Sequence, residues 1–127
     1  MILRDETGGE GAHRLWNATI PILASWLVHT EAVVSLEAAA RRGRLAAGSL
    51  VRARGELERR WSSIDAVAVT PGLAREAGAL AGRHRLRALD AVHLATALAA
   101  DGEPIVMATW DHELRRASLE AGLDVVP

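Results

Sequence analysis

The chain reads as an α/β protein, with a mostly parallel central sheet flanked by helices in one domain over residues 1–127. Three features predict this. Short apolar runs alternate with longer segments of helical period. Helix-capping residues stand directly after several of those runs. A length of 127 residues suits one buried core and is short for two.

The elements follow in order. Residues 5–11 (Asp-Glu-Thr-Gly-Gly-Glu-Gly) form a polar loop, and a short helix is predicted from Ala12 to Ala18. Ile20-Pro21-Ile22-Leu23-Ala24 is an apolar run suited to a buried strand, with Pro21 at its opening or on an edge. Ser25 is placed to cap a helix running to Arg42 and ended by Gly43. A second helix, from Ala46 to Ser62, carries the apolar stripe Leu50, Ala53, Leu57 and Trp61; Gly55 weakens it by about 1 kcal/mol relative to Ala. Val67-Ala68-Val69 is a brief strand. Thr70-Pro71 then supplies a cap and a first helical residue for a helix to His84. A further helix is predicted from Ala88 to Ala100, a strand from Pro104 to Ala108, a helix from Asp111 to Ala121, and a last strand from Leu123 to Val126.

Composition removes several chemistries. There is no Cys, so disulfides, thiolate catalysis and iron–sulfur clusters are excluded. With 15 Arg or Lys against 16 Asp or Glu, the charge does not suit a protein that grips nucleic acid mainly through a basic surface. It leaves room for an enzyme that holds nucleic acid at a metal site. No apolar run approaches the roughly 18 residues of a membrane span, and Arg4, Asp5, Glu6 and Glu10 interrupt any signal-peptide core. These features predict a cytoplasmic domain.

In parallel α/β sheets, reactive groups gather where strands end and helices begin. Three acids stand out on that criterion. Glu31 shares a helical face with Leu27, Val28, Val34 and Ser35, interrupting an apolar stripe. A buried carboxylate there needs a partner or a metal. Glu37, by contrast, lies on another face and can pair with Arg41. Asp90 opens the apolar segment Ala91-Val92-His93-Leu94-Ala95-Thr96-Ala97-Leu98; its ordinary explanation is an acid in the first helical turn. Asp111 follows Ile105-Val106-Met107-Ala108 and Thr109-Trp110, where an N-cap is the ordinary role. Taken together, hard oxygen ligands of this kind suit Mg²⁺ or Mn²⁺.

Leu89-Asp90-Ala91-Val92-His93-Leu94-Ala95-Thr96-Ala97 and Thr109-Trp110-Asp111-His112-Glu113-Leu114 closely resemble the two downstream motifs of PIN-domain ribonucleases of the VapC toxin type. The Glu31 helix, the Thr70-Pro71 helix start and the closing Ala121-Gly122-Leu123 segment fit the same pattern, so the resemblance covers nearly the whole chain. It implies a three-layer PIN fold and a metal-dependent endoribonuclease, with Mg²⁺ (or Mn²⁺) held over the scissile phosphate. Glu31, Asp90 and Asp111 match three of the family's acidic positions, and Thr109 matches the hydroxyl residue beside the last acid. The resemblance further implies an RNA substrate, products with a 5′-phosphate, a cognate antitoxin whose Arg can enter the acidic pocket, and a homodimer with no membrane partner. Clustered carboxylates repel one another and raise one pKa unless a cation is present.

The chain departs from the family at its start. Members open with a strand ending in Asp, usually followed by Thr or Ser. Met1-Ile2-Leu3-Arg4-Asp5-Glu6-Thr7-Gly8 resembles the loop beyond that region, so the catalytic role is not carried onto Asp5. The opening strand is therefore expected to be missing from this chain. The alternative function that follows is an inactive PIN remnant serving only to bind protein.

Other residues read as structural. His93 shares a face with Asp90, yet a histidine on a buried helix is most often a hydrogen-bonded core residue. His29, His84 and His112 lack zinc spacing. Trp16, Trp26, Trp61 and Trp110 fill core or interface in a chain without Phe or Tyr. The basic segment of Arg41, Arg42, Arg44, Arg52, Arg54, Arg59 and Arg60, opposed by Glu56 and Glu58, reads first as a solvated helix face, with RNA contact or a protein interface as the alternatives.

Overall fold

The structure is a computed structural model describing residues 11, 14, 15, 17, 20–100 and 104–126. The polar loop over residues 5–11 and Trp16 thus lie outside the described residues, Gly11 excepted. Of the helix predicted from Ala12 to Ala18, Arg14, Leu15 and Asn17 are helical and the others lie outside. The chain divides into two compact units, one over Pro21–Ala68 and one containing everything from Val69 onward.

In the first unit, β1 (Leu23–Ser25) leads directly into α1 (Trp26–Arg41), followed by α2 (Ala47–Trp61) and β2 (Asp65–Val67). Ser25 Oγ accepts from the Leu27 N–H at 3.2 Å, so the predicted cap forms. The predicted stop also forms. Gly43 takes φ +70°, and the Arg44 N–H reaches the Ala39 carbonyl while Gly43 N–H reaches that of Ala40, a paired C-terminal motif needing a left-handed residue. Strands β1 and β2 run parallel with Leu23 opposite Asp65 and Ser25 opposite Val67. The second strand therefore begins two residues earlier than Val67-Ala68-Val69. Its position is set by β1, whose approach places the Ile22 carbonyl on the Asp65 N–H at 2.9 Å; apolar content alone does not carry register. Leu36 and Ala39 of α1 and Leu57 and Trp61 of α2 are the unit's buried apolar side chains.

The second unit contains α3 (Pro71–His84), α4 (Ala88–Leu98), β3 (Val106–Ala108), α5 (His112–Glu120) and β4 (Asp124–Val126). Thr70 Oγ1 caps α3 through the Leu73 N–H, with Pro71 at its first position as predicted. β3 and β4 are parallel, Val106 opposite Asp124 and Ala108 opposite Val126. The parallel strands of the α/β fold thus occur as two short pairs, one in each unit, among the described residues.

The core of this unit is built around α4. Ala91, Leu94, Ala95 and Ala97 are buried with Ala77 and Leu80 of α3, Met107 of β3, and Leu114 and Ala117 of α5. Small alanines let the neighbouring helices approach closely, while Leu94 fills the centre. Thr96 is buried too, and its hydroxyl returns a hydrogen bond to the Val92 carbonyl at 2.7 Å, so that hydroxyl is not stranded.

Leu94→Ala empties a fully buried site and is expected to lower the unfolding free energy by about 2–5 kcal/mol. Val51→Ala, at a residue 72% exposed, is expected to change it by less than about 0.5 kcal/mol. Urea unfolding of the two variants checks both.

Candidate acidic site

Two of the predicted acids meet in the second unit. Asp90 stands in the first turn of α4, whose N-cap is Arg87. Asp111 is the N-cap of α5, at the exit from β3. Their meeting point is one guanidinium: Arg87 Nε donates to Asp90 Oδ2 at 2.9 Å, and Arg87 Nη2 donates to Asp111 Oδ2 at 2.9 Å.

Asp111 divides its work between its two oxygens. Oδ1 accepts from the Glu113 and Leu114 N–H groups, each at 2.9 Å, satisfying donors that the first helical turn leaves free. Oδ2 faces Arg87. The predicted N-cap role is thus carried by one oxygen, and the other is turned to Arg87. Thr109 supports Asp111. Its hydroxyl accepts the Asp111 N–H at 3.1 Å, and its own N–H reaches the Val126 carbonyl, extending the β3–β4 pairing by one residue.

These contacts set the charge state. The Asp111 carboxyl is held below the ordinary carboxylate range, first by the Leu114 N–H and then, against partial desolvation, by the Glu113 N–H and the Arg87 charge. The upward push foreseen for crowded carboxylates is thus not what Asp111 experiences. Its upward push comes from desolvation, and helix N–H groups and the Arg87 cation outweigh that. Arg87 is correspondingly held more firmly protonated, by Asp90 first and by Asp111 with it.

Glu31 belongs to the other unit, part-buried midway along α1. His93 is also part-buried, on the α4 turn after Asp90. Glu37 pairs with Arg54 at 3.0 Å rather than with Arg41, because α2 lies against α1 and brings a cation across. The basic segment is largely occupied in the same way: Arg59 and Arg60 both engage Glu56, and Arg52 reaches Ser49. Trp61 is core, one of the two places foreseen for it, and Trp26, which packs on it at 5.4 Å between ring centroids, is 49% exposed.

Sequence reasoning passed over Arg87, although its spacing of three residues from Asp90 was the available signal. It also missed the pairing of buried His84 with Glu120, Nδ1 to Oε2 at 2.9 Å. That pair borders a polar cleft of about 380 Å³ with Arg83, Arg85, Glu113 and Arg116.

Among the described residues, no group of three or more His, Cys, Asp or Glu side chains is placed to hold a metal ion. The Asp90–Asp111 pair nonetheless fits one. Its outward oxygens already converge on a cationic group, and Mg²⁺ is commonly held by one or two protein carboxylates, with waters and phosphate oxygens completing the shell.

A strand exit that brings Asp111 to one helix start, beside Asp90 in the first turn of another, defines the class: an α/β protein with a pair of acids meeting at two helix starts. The PIN domain profile matches residues 1–119. Over 126 residues the chain is 38% identical to Ribonuclease VapC45 of Mycobacterium tuberculosis strain CDC 1551 / Oshkosh, covering 99% of this chain and 88% of that protein. The same identity and coverage hold for Ribonuclease VapC49 of M. tuberculosis strain ATCC 25618 / H37Rv. The chain belongs to the PIN-domain family, in its VapC branch.

Two outcomes test the cap and the charge of Asp111. Asp111→Ala is expected to destabilise the protein by about 1 kcal/mol through the lost cap, while Asp111→Asn, which keeps a capping oxygen, loses less. Because the folded-state pKa lies below the unfolded one, Asp111's charge-dependent contribution is complete above the ordinary carboxylate range. It disappears as the pH falls through the folded value. Thermal melts across an acid series should therefore show the gap between wild type and Asp111→Asn narrowing on acidification.

Proposed function

We propose that the protein is a toxin-type endoribonuclease that hydrolyses RNA phosphodiester bonds with Mg²⁺ or Mn²⁺. The observation that carries this reading is the convergence of Asp90 and Asp111 on one cation at the helix starts, in a chain 38% identical to two ribonucleases. When bound, the divalent ion supplies an acidified water and offsets charge growing on the phosphate oxygens.

The chain's own residues have distinct tasks in this reading. Asp90 and Asp111 would hold the ion. Thr109 fixes the backbone of Asp111, and the α5 N–H groups keep that carboxylate ionised. Glu31 enters as a third acidic position through the family pattern, and not through its geometry. A cognate antitoxin, a homodimeric state and a cytoplasmic location belong to the same proposal. No helix among the described residues is long and apolar enough to cross a membrane.

Asp90→Asn removes the charge of a side chain that is only 15% exposed, at nearly constant volume. It is expected to abolish Mn²⁺-dependent cleavage of RNA while the circular dichroism spectrum stays unchanged. Wild-type products should carry 5′-phosphate ends, and chelation by EDTA should stop the reaction. Retained cleavage in the Asp90→Asn variant overturns the assignment. Absence of cleavage and of Mn²⁺ binding in the wild type would leave the protein-binding remnant as the reading.

A further inference from the structure

We propose that Arg87 is a positioning residue, the resident counter-cation of the acidic pair. It holds Asp90 and Asp111 together in the metal-free protein and leaves both when a divalent ion binds. The inference rests on the function proposed above.

The guanidinium occupies one oxygen on each of the acids that would hold a metal. Asp90 Oδ2 and Asp111 Oδ2 each receive one of its N–H groups at 2.9 Å, while Asp111 Oδ1 is committed to the α5 cap. For Asp111 the outward oxygen facing Arg87 is thus the one left for a ligand. The planar fork of an arginine can serve two carboxylates at once, which a point charge such as lysine does less well.

The side chain is also free to leave. Arg87 is the N-cap of α4 in an extended conformation, φ −69° and ψ 158°, yet its side chain takes no part in capping. It is 77% exposed, whereas Asp90 beneath it is 15% exposed. The acids are thus anchored, one in the first turn of a buried helix and the other as a helix cap, and the cation between them is the exposed partner. A divalent ion within coordination distance of both oxygens would lie against the positive guanidinium, so like-charge repulsion favours exchange over coexistence. The exchange keeps the acids from repelling one another before the metal arrives, and it sets the metal affinity lower than the bare pair would give.

Mn²⁺ binding by isothermal titration to the full chain tests this. Arg87→Gln is expected to bind Mn²⁺ about two- to fivefold more tightly than wild type, the scale of exposed ion pairs being lost from the competing state. Its thermal midpoint should fall relative to wild type without metal, and the difference should close in saturating Mn²⁺. Arg87→Lys keeps the charge and loses the fork, so its affinity should lie between the two. This variant also serves if Arg87→Gln fails to fold.

Equal affinities in Arg87→Lys and wild type would make Arg87 a distant charge and overturn the proposal. Unchanged or weakened binding in Arg87→Gln would overturn it as well, while loss of binding in Asp90→Asn would leave the functional reading standing. Failure of the wild type to bind Mn²⁺ would overturn both.

Discussion

The burial of α4 is the interaction on which the acidic site depends. Leu94 and the alanines around it pack α4 against α3 and α5, while the first turn of α4 stays at the surface. A helix held along most of its length cannot rotate or slide, so Asp90 is presented at a fixed point. The short β3–β4 pair does the same for Asp111: one further hydrogen bond at Thr109 carries the strand up to the helix start. Carboxylates kept at this spacing without rigid supports would turn outward to water. Here two separate anchors keep them facing one place.

That anchoring gives electrostatics its leverage. Asp111 is ionised by helix N–H groups that belong to the fold, so its charge does not depend on a ligand arriving. An acid poised in this way attracts cations, and the nearest one is internal. The Arg87 bridge supplies a positive group to a site where two acids of like charge meet. The polar network around Arg116, which donates to Glu113, Glu120 and the His84 carbonyl, shows the same economy on another face of the second unit.

Much of this was legible beforehand where the physics is local. Ser25, Thr70 and Asp111 cap their helices, and Gly43 ends one, because each acts on backbone groups within three or four residues. The near-continuous apolarity of 91–98 announced a buried helix in the same way. What was misread depended on another part of the chain. β2 starts at Asp65 because β1 sets its register. Glu37 turns to Arg54 because α2 supplies a cation across the helix pair.

By itself, then, the sequence determined the order of elements, the caps at Ser25, Thr70 and Asp111, the buried helix, and the acids Asp90 and Asp111 standing at helix starts. Pattern and chemistry suffice for these, since helical period and capping are short-range properties of the backbone. The tertiary structure alone decided which charges meet. Arg87 and Asp111 are 24 positions apart, and nothing in their local surroundings selects either as the other's partner. Only the packing of α4 beside α5 brings the start of one helix to the start of the next, and with it one guanidinium to two carboxylates.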